Sequence, residues 1–438
     1  MIHSDSFPST KSELDLLLGS SVNTSMVKGG WVEYQPLSTI ADDSPIEFYV
    51  SGKGDEYIDL SNTLYYLKAK IKKQNADGTL KDLEENEKVG PVNNWLHSLY
   101  SQVELYLNGE QVTSSSGNYH YKALIQTLLT YGEDAKKSQL TSQLWYSDEG
   151  SKFDHSNPAD PNVNSGFKKR HDLIANSGSV EMIGKPHLDM FFQERYLLNG
   201  VDMKLCFIPS KTAFNLMSEE NGYVVKVEHA ILYIRKVKIN PAVVTAHAKA
   251  LMSSPAKYPI RRTVVKSFTI SAGDQSITKD NVFLGQIPRR VVLALVSNDA
   301  FNGNSRKNPF HFQHFNVNSL SISVGEQHYP SKPLTPDFNN SNYVRSYMTL
   351  FSGTGKLFDD HGNNISREDY KNGNTLWAFD LTPDMSEGQH IDLINEGNLR
   401  IDLGFAAPLS NSINVLVLAE FDNLITIDRV RNIMKDYK

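Results

Sequence analysis

The chain has 438 residues, 39% hydrophobic and 21% charged, with a formal net charge of −6. That length suits two domains of about 200 residues, each able to bury its own core. The charge excludes wrapping of nucleic acid by bulk basicity, the single Cys206 excludes an internal disulfide, and no run reaches the ~18 apolar residues of a membrane span.

Residues 1–45 read as an arm. The first ten are polar and lack an apolar signal core, so synthesis in the cytosol is expected. Ser12-Glu13-Leu14-Asp15 resembles a helix start, with Leu14, Leu17 and Leu18 at helical spacing before Gly19. Gly29-Gly30-Trp31, Pro36 and Pro45 follow, and an arm of this kind stays mobile or docks on something. After Pro45 the pattern changes to period two. Tyr65, Leu67, Ala69 and Ile71 alternate with Tyr66, Lys68, Lys70 and Lys72, the mark of a half-buried strand. Val103, Leu105 and Leu107 form another such face, and Asn108-Gly109 supplies a tight hairpin turn.

Helices are few. Tyr121, Leu124, Ile125, Leu128 and Leu129 make one apolar stripe that Gly132 ends, and Val430, Ile433, Met434 and Tyr437 make a short second one. Residues 74–90, 147–179 and 352–374 are polar and read as long surface loops.

Signals in the first half recur in order in the second. Pro45-Ile46 matches Pro259-Ile260, and Val103-Leu105-Leu107 before Gly109-Glu110-Gln111 matches Leu320-Ile322-Val324 before Gly325-Glu326-Gln327. Asn118-Tyr119 matches Asn342-Tyr343. The alternation of Val201, Met203, Leu205 and Phe207 matches Leu399, Ile401, Leu403 and Phe405, and final strands follow at 223–239 and 413–427. Ordered matches at offsets of roughly 190 to 225 residues argue for a duplicated domain. Many short strands with long loops suit an all-β fold of two tandem jelly-roll sandwiches with a few short helices. The expected division is an arm (1–45), a first jelly roll (46–245), a second (246–428) and a helical tail (429–438).

No catalytic, cofactor or metal constellation emerges. Ser352-Gly353-Thr354-Gly355-Lys356 lacks the full spacing of a phosphate loop. His311 and His314 lack further ligands nearby, and an Asn-Pro pair precedes them. Asp359-Asp360-His361 and Glu84, Glu85 and Glu87 lie in polar loops. Lys168-Lys169-Arg170-His171, the densest basic run, reads as a solvated loop rather than a DNA contact. No motif activates Cys206.

Several ordered motifs carry a family likeness. They are Pro45-Ile46-Glu47-Phe48, Gly54-Asp55-Glu56-Tyr57-Ile58-Asp59-Leu60, Gly90-Pro91-Val92-Asn93-Asn94 with Leu96-His97-Ser98-Leu99-Tyr100, Lys257-Tyr258-Pro259-Ile260, Gly285-Gln286-Ile287-Pro288, Asn308-Pro309-Phe310, and Phe379-Asp380-Leu381-Thr382-Pro383-Asp384. With them the chain resembles the major capsid proteins of Polinton/Maverick elements and adintoviruses, from about Leu14 to Tyr437. The resemblance implies a double jelly roll standing roughly perpendicular to a shell surface. It implies homotrimers that present six jelly rolls as pseudo-hexagonal capsomers of an icosahedral shell around a DNA genome. The resemblance also implies no cofactor and no catalysis. The expected partners are the chain itself, neighbouring capsomers and a penton protein at the vertices, and the net charge of −6 gives no expectation of strong nucleic-acid binding. Leu14, Leu17, Leu18 and Trp31 are the expected assembly residues, docking on a neighbour or under the shell; packing on their own jelly roll is the alternative. Two other readings stay open: a carbohydrate-binding or carbohydrate-active β-sandwich protein, and a host-recruited relative that no longer assembles.

Overall fold

Strands with one apolar and one polar face must pair and then stack, and this chain does so twice. The computed structural model describes residues 6–7, 9–17, 19–41, 43–385 and 391–437. The first half contributes β1 (Met26–Tyr34), β2 (Ile46–Val50), β3 (Glu56–Gln74), β4 (Tyr100–Leu107), β5 (Glu110–Gln111), β6 (Val180–Gly184), β7 (Met203–Pro209) and β8 (Tyr223–Ile239). The second contributes β9 (Ala256–Ile270), β10 (Ser276–Gln286), β11 (Arg290–Ser297), β12 (Val317–Val324), β13 (Gln327–Leu334), β14 (Leu376–Asp380), β15 (Glu396–Phe405) and β16 (Ile413–Ile427).

In the first half, sheet β1-β8-β3-β6 faces sheet β2-β7-β4-β5. In the second, β9-β16-β11-β14 faces β10-β15-β12-β13. Adding eight to every label turns one roll into the other, and all these neighbours are antiparallel. The fold is therefore all-β, two jelly rolls in tandem. β3 shows the sequence logic. Tyr65, Leu67, Ala69 and Ile71 are buried, while Lys68, Lys70 and Lys72 point out and pair with Glu181, Glu228 and Asp82. At the β4–β5 hairpin Asn108 and Gly109 take φ of 47° and 84°, the left-handed pair that a two-residue turn of this twist requires.

Three expectations need correction. The stretch 1–45 is not wholly an arm, because β1 lies inside it as the edge strand of the first roll. Most of its side chains are exposed, so it carries no apolar alternation to betray it. Pro45-Ile46 opens β2, whereas Pro259-Ile260 lies inside β9, the counterpart of β1; that one match is out of step. The tail is not helical: Ile433–Lys435 is a strand that extends β16's sheet through Ile427, Thr426 and Ile425. Four apolar residues in so short a run satisfy either period, and the open edge of β16 decides.

Candidate functional site

The loops that follow β5 and β13 carry the features that turn two sandwiches into one body. In the first roll that loop holds α1 (Tyr119–Thr130) and α2 (Ser165–Ile174). α1 buries Tyr121, Leu124, Ile125, Leu128 and Leu129, and these belong to the hydrophobic core of the second roll. Each of the four aliphatic side chains stabilises by about 1.5–3 kcal/mol. Tyr121 packs against Phe301, Phe310 and Phe312 of the second roll with ring centroids 5.8, 5.7 and 6.4 Å away. Gln126 Nε2 donates to Thr263 Oγ1 of β9 at 3.1 Å. The exchange is mutual, since Tyr258, Ile260, Ile425 and Ile427 join the core of the first roll.

Polar contacts lock the same junction. The wholly buried Arg170 of α2 donates through Nη2 to Asp148 Oδ1 at 2.6 Å, and Asp148 Oδ2 accepts from Asn308 Nδ2 at 3.1 Å. Asp154 Oδ1 accepts from the Asn308 backbone N–H at 2.7 Å. Phe153 stacks on His311 at 4.7 Å and lies against Gly373, whose φ of 140° and lack of a Cβ permit that approach. Lys136 Nζ donates to Leu128 O at 2.8 Å and to Asn364 Oδ1 at 2.5 Å, so the two inserted loops touch directly. Burial of this amine pushes its pKa down to about 7.

A second polar cluster lies where α1 meets the first roll. His97 Nδ1 and Tyr119 Oη are 3.0 Å apart, His97 Nε2 faces Gln143 Oε1 at 3.2 Å, and the His97 and His187 rings meet edge-on at 4.8 Å. His187 reaches Gln126 Oε1 at 2.9 Å. Burial lowers His97 to about 4 and His120 to about 3; burial, then repulsion from His97, Lys122 and Lys185, hold His187 well below its ordinary value. These rings are neutral parts of the packing.

The other sequence candidates do not converge. Ser352 closes α4 (Val344–Ser352), Gly353 lies against the Ala378 backbone, and Thr354 Oγ1 donates to Leu350 O; this is a helix end, where carbonyls rather than N–H groups are exposed. His314 stacks on Phe338 at 4.0 Å, apart from the His311–Phe153 stack, and burial lowers its pKa to about 4. Asp359 accepts from the His361 backbone N–H at 3.0 Å within its own loop. Glu87 accepts from Lys73 Nζ and Tyr223 Oη at 2.5 and 2.8 Å. Among the described residues no group of three His, Cys, Asp or Glu side chains is placed to hold a metal. The basic run 168–171 is no solvated loop: it lies in α2, with Arg170 and His171 buried, because Asp148 and the Glu87 carbonyl await them. Cys206 is buried and its thiol pushed up to about 11.

Three of the four expected assembly residues, Leu14, Leu17 and Trp31, lie among the described residues. Leu14 ends the short helical turn Ser12–Leu14 and is 68% exposed, and Leu17 is 98% exposed. Leu18 lies outside the described residues. Trp31 is 47% exposed on β1, opposite Arg235 of β8. Neither Leu14 nor Leu17 packs on its own roll. The arm is anchored just before β1, where the Ser25 and Thr24 carbonyls accept from the Asn240 backbone N–H and Nδ2, both at 2.9 Å. Asn240 also caps α3 (Pro241–Ala250), the linker between the rolls. Beneath α3 lies an open groove of about 700 Å³, walled by Tyr57, Leu198, Val243, Leu251 and Tyr258. Sequence reading missed this groove, because its walls are far apart along the chain.

No family model matches the chain. An uncharacterized protein of Caenorhabditis elegans is 25% identical over 418 residues, covering 93% of this chain and 96% of its own length. Among solved structures, a chain of the Sputnik virophage shares the fold with a TM-score of 0.63 at 11% identity, covering 99% of this chain and 93% of its own. The Faustovirus major capsid protein gives 0.57 at 9% identity over 94% and 93%. The mavirus major capsid protein gives 0.52 at 12% identity over 100% and 96%. The likeness spans both rolls in each case.

Proposed function

We propose that the chain is the major coat subunit of a DNA virus or virus-like transposon, acting by geometry rather than catalysis. Three copies form a pseudo-hexagonal capsomer of six jelly rolls, and capsomers close into an icosahedral shell with a penton protein at the vertices. The carrying observation is the welded junction in which α1 completes the core of the second roll while Tyr258, Ile260, Ile425 and Ile427 complete that of the first. Two sandwiches that share cores move as one plate, and a plate is what a tiled shell requires. Similarity over the full length to viral capsid folds supports the same reading. Cyclic symmetry lets each copy present one patch to the next and closes the ring. Leu14 and Leu17 on the exposed arm and Trp31 on β1 supply apolar contacts to a neighbour, joined by Leu18, which lies outside the described residues.

The test is expression of the full chain followed by electron microscopy. Closed shells, or flat arrays of pseudo-hexagonal tiles, are expected. A protein that stays dispersed as single chains across salt and pH would overturn the reading. A second reading keeps support from the nematode relative, which shows that proteins similar to this chain are encoded by an animal. It is a host-recruited relative that keeps the trimer and forms no shell, and intact trimers without particles would identify it.

A further inference from the structure

The arm is exposed in a single chain, and the groove beneath α3, floored by core residues and edged by the half-buried Val243 and Leu251, complements it. Phe7, Leu14, Leu16, Leu17 and Val22 are largely exposed, an arrangement that costs free energy until the side chains are covered. The groove offers the reverse. Its walls are Tyr57, Leu198, Ile239, Val243, Leu251 and Tyr258, and its volume of about 700 Å³ lies in the range of pockets that hold ligands.

Charge matches as well as shape. The stretch 12–17 carries Glu13 and Asp15 among its leucines and no basic residue. The groove is lined by the cations Arg195 and Lys257 and, among the described residues, by no carboxylate. We propose that this groove receives residues 12–17 of a neighbouring copy's arm, with Leu14 and Leu17 inside and Glu13 and Asp15 against the basic rim. The proposal rests on the coat reading and names the receptor for its arm.

Exposure of the arm favours a neighbour as donor. The chain's own arm leaves from the mouth of its own groove, where Ser25 and Met26 form part of the lining, yet Leu14 and Leu17 stay in solvent. From Ser25 back to Leu17 an extended chain spans at most roughly 30 Å, enough to reach an adjacent subunit. An arm given to one neighbour and a groove filled by another make a head-to-tail contact, the kind that closes a ring under cyclic symmetry.

Disulfide trapping between two variants tests this. Leu17→Cys and Ala250→Cys, the second at the groove edge, are made separately in the full chain and mixed under oxidised glutathione. Cys206 is buried with a raised thiol pKa and stays out of the exchange. The expected result is a covalent dimer in the mixture and in neither variant alone, lost when Val243→Asp is added to the groove partner. The same samples are imaged for shells. Shells without the cross-link would overturn the docking and leave the coat reading standing. Neither shells nor cross-link would overturn both. A chain carrying both cysteines that links only within itself would show the arm folding back on its own groove, and would overturn the exchange between copies.

Discussion

α1 and α4 occupy the same place in two copies of one topology, each in the loop after the short hairpin strand β5 or β13, yet they meet different surroundings. α1 buries nine of its residues from Tyr119 to Leu129, whereas α4 buries only Ser346 and Leu350. α1 lies between the rolls, and α4 lies against β14 of its own roll with Val344 half exposed. The topology fixes where the helix comes in the chain; what lies on its far side fixes its burial. The inserted loops differ in the same way. The first is held by a buried ion pair within the insertion, Arg170 to Asp148, whose carboxylate also accepts from Asn308 of the second roll; the second is held by a capping box at Ser366 and Asp369 on its own short helix.

That contrast can be broken by substitution. Arg170→Ala leaves the Asp148 carboxylate buried without its partner and should cost about 3–5 kcal/mol. Urea unfolding should show it, together with loosened exchange protection around Asn308. Leu124→Ala in α1 should cost about 2–5 kcal/mol. It should lower the protection of both rolls, since Leu124 belongs to a core built from both halves.

Acid should separate the rolls. His97, His120 and His187 have folded pKa values below the unfolded value of about 6.5, so their contribution is present above that pH and is lost as pH falls toward 4. A tenfold difference in proton affinity between the folded and unfolded chain is worth about 1.4 kcal/mol at each ring. Exchange protection should therefore fall first in the first roll, and His97→Gln should flatten the dependence. Lys136 acts on the alkaline side: with a folded pKa of about 7 against about 10.4 unfolded, stability should rise between those values, and Lys136→Met should remove the slope. Ser366→Ala should cost about 1 kcal/mol and loosen only the second insertion. Val344→Ala on the exposed face of α4 should stay within about 0.5 kcal/mol.

The duplicated architecture was legible because period-two alternation on β3, β4, β7, β12 and β15 is written directly into adjacent residues. What stayed hidden depends on partners distant in sequence. β1 has exposed side chains and owes its existence to the edge of β8. Arg170 is buried because Asp148 and Tyr146 approach it through the loop fold, and no local signal separates it from Lys168 and Lys169. The histidine pair joins residues 97 and 187, with His120 buried separately against Phe214, and their spacing matches no motif. Asn164 before Ser165 was a readable cap for α2, with its side chain accepting from Gly166 and Phe167, but the polar composition of the surrounding loop masked it.

Light scattering on the purified protein tests the proposed self-assembly into tiles most directly. The account predicts a particle of about 148 kDa, three copies of the 49.2 kDa chain, or larger multiples of it. A stable species of one chain's mass at every salt and pH tried would contradict it.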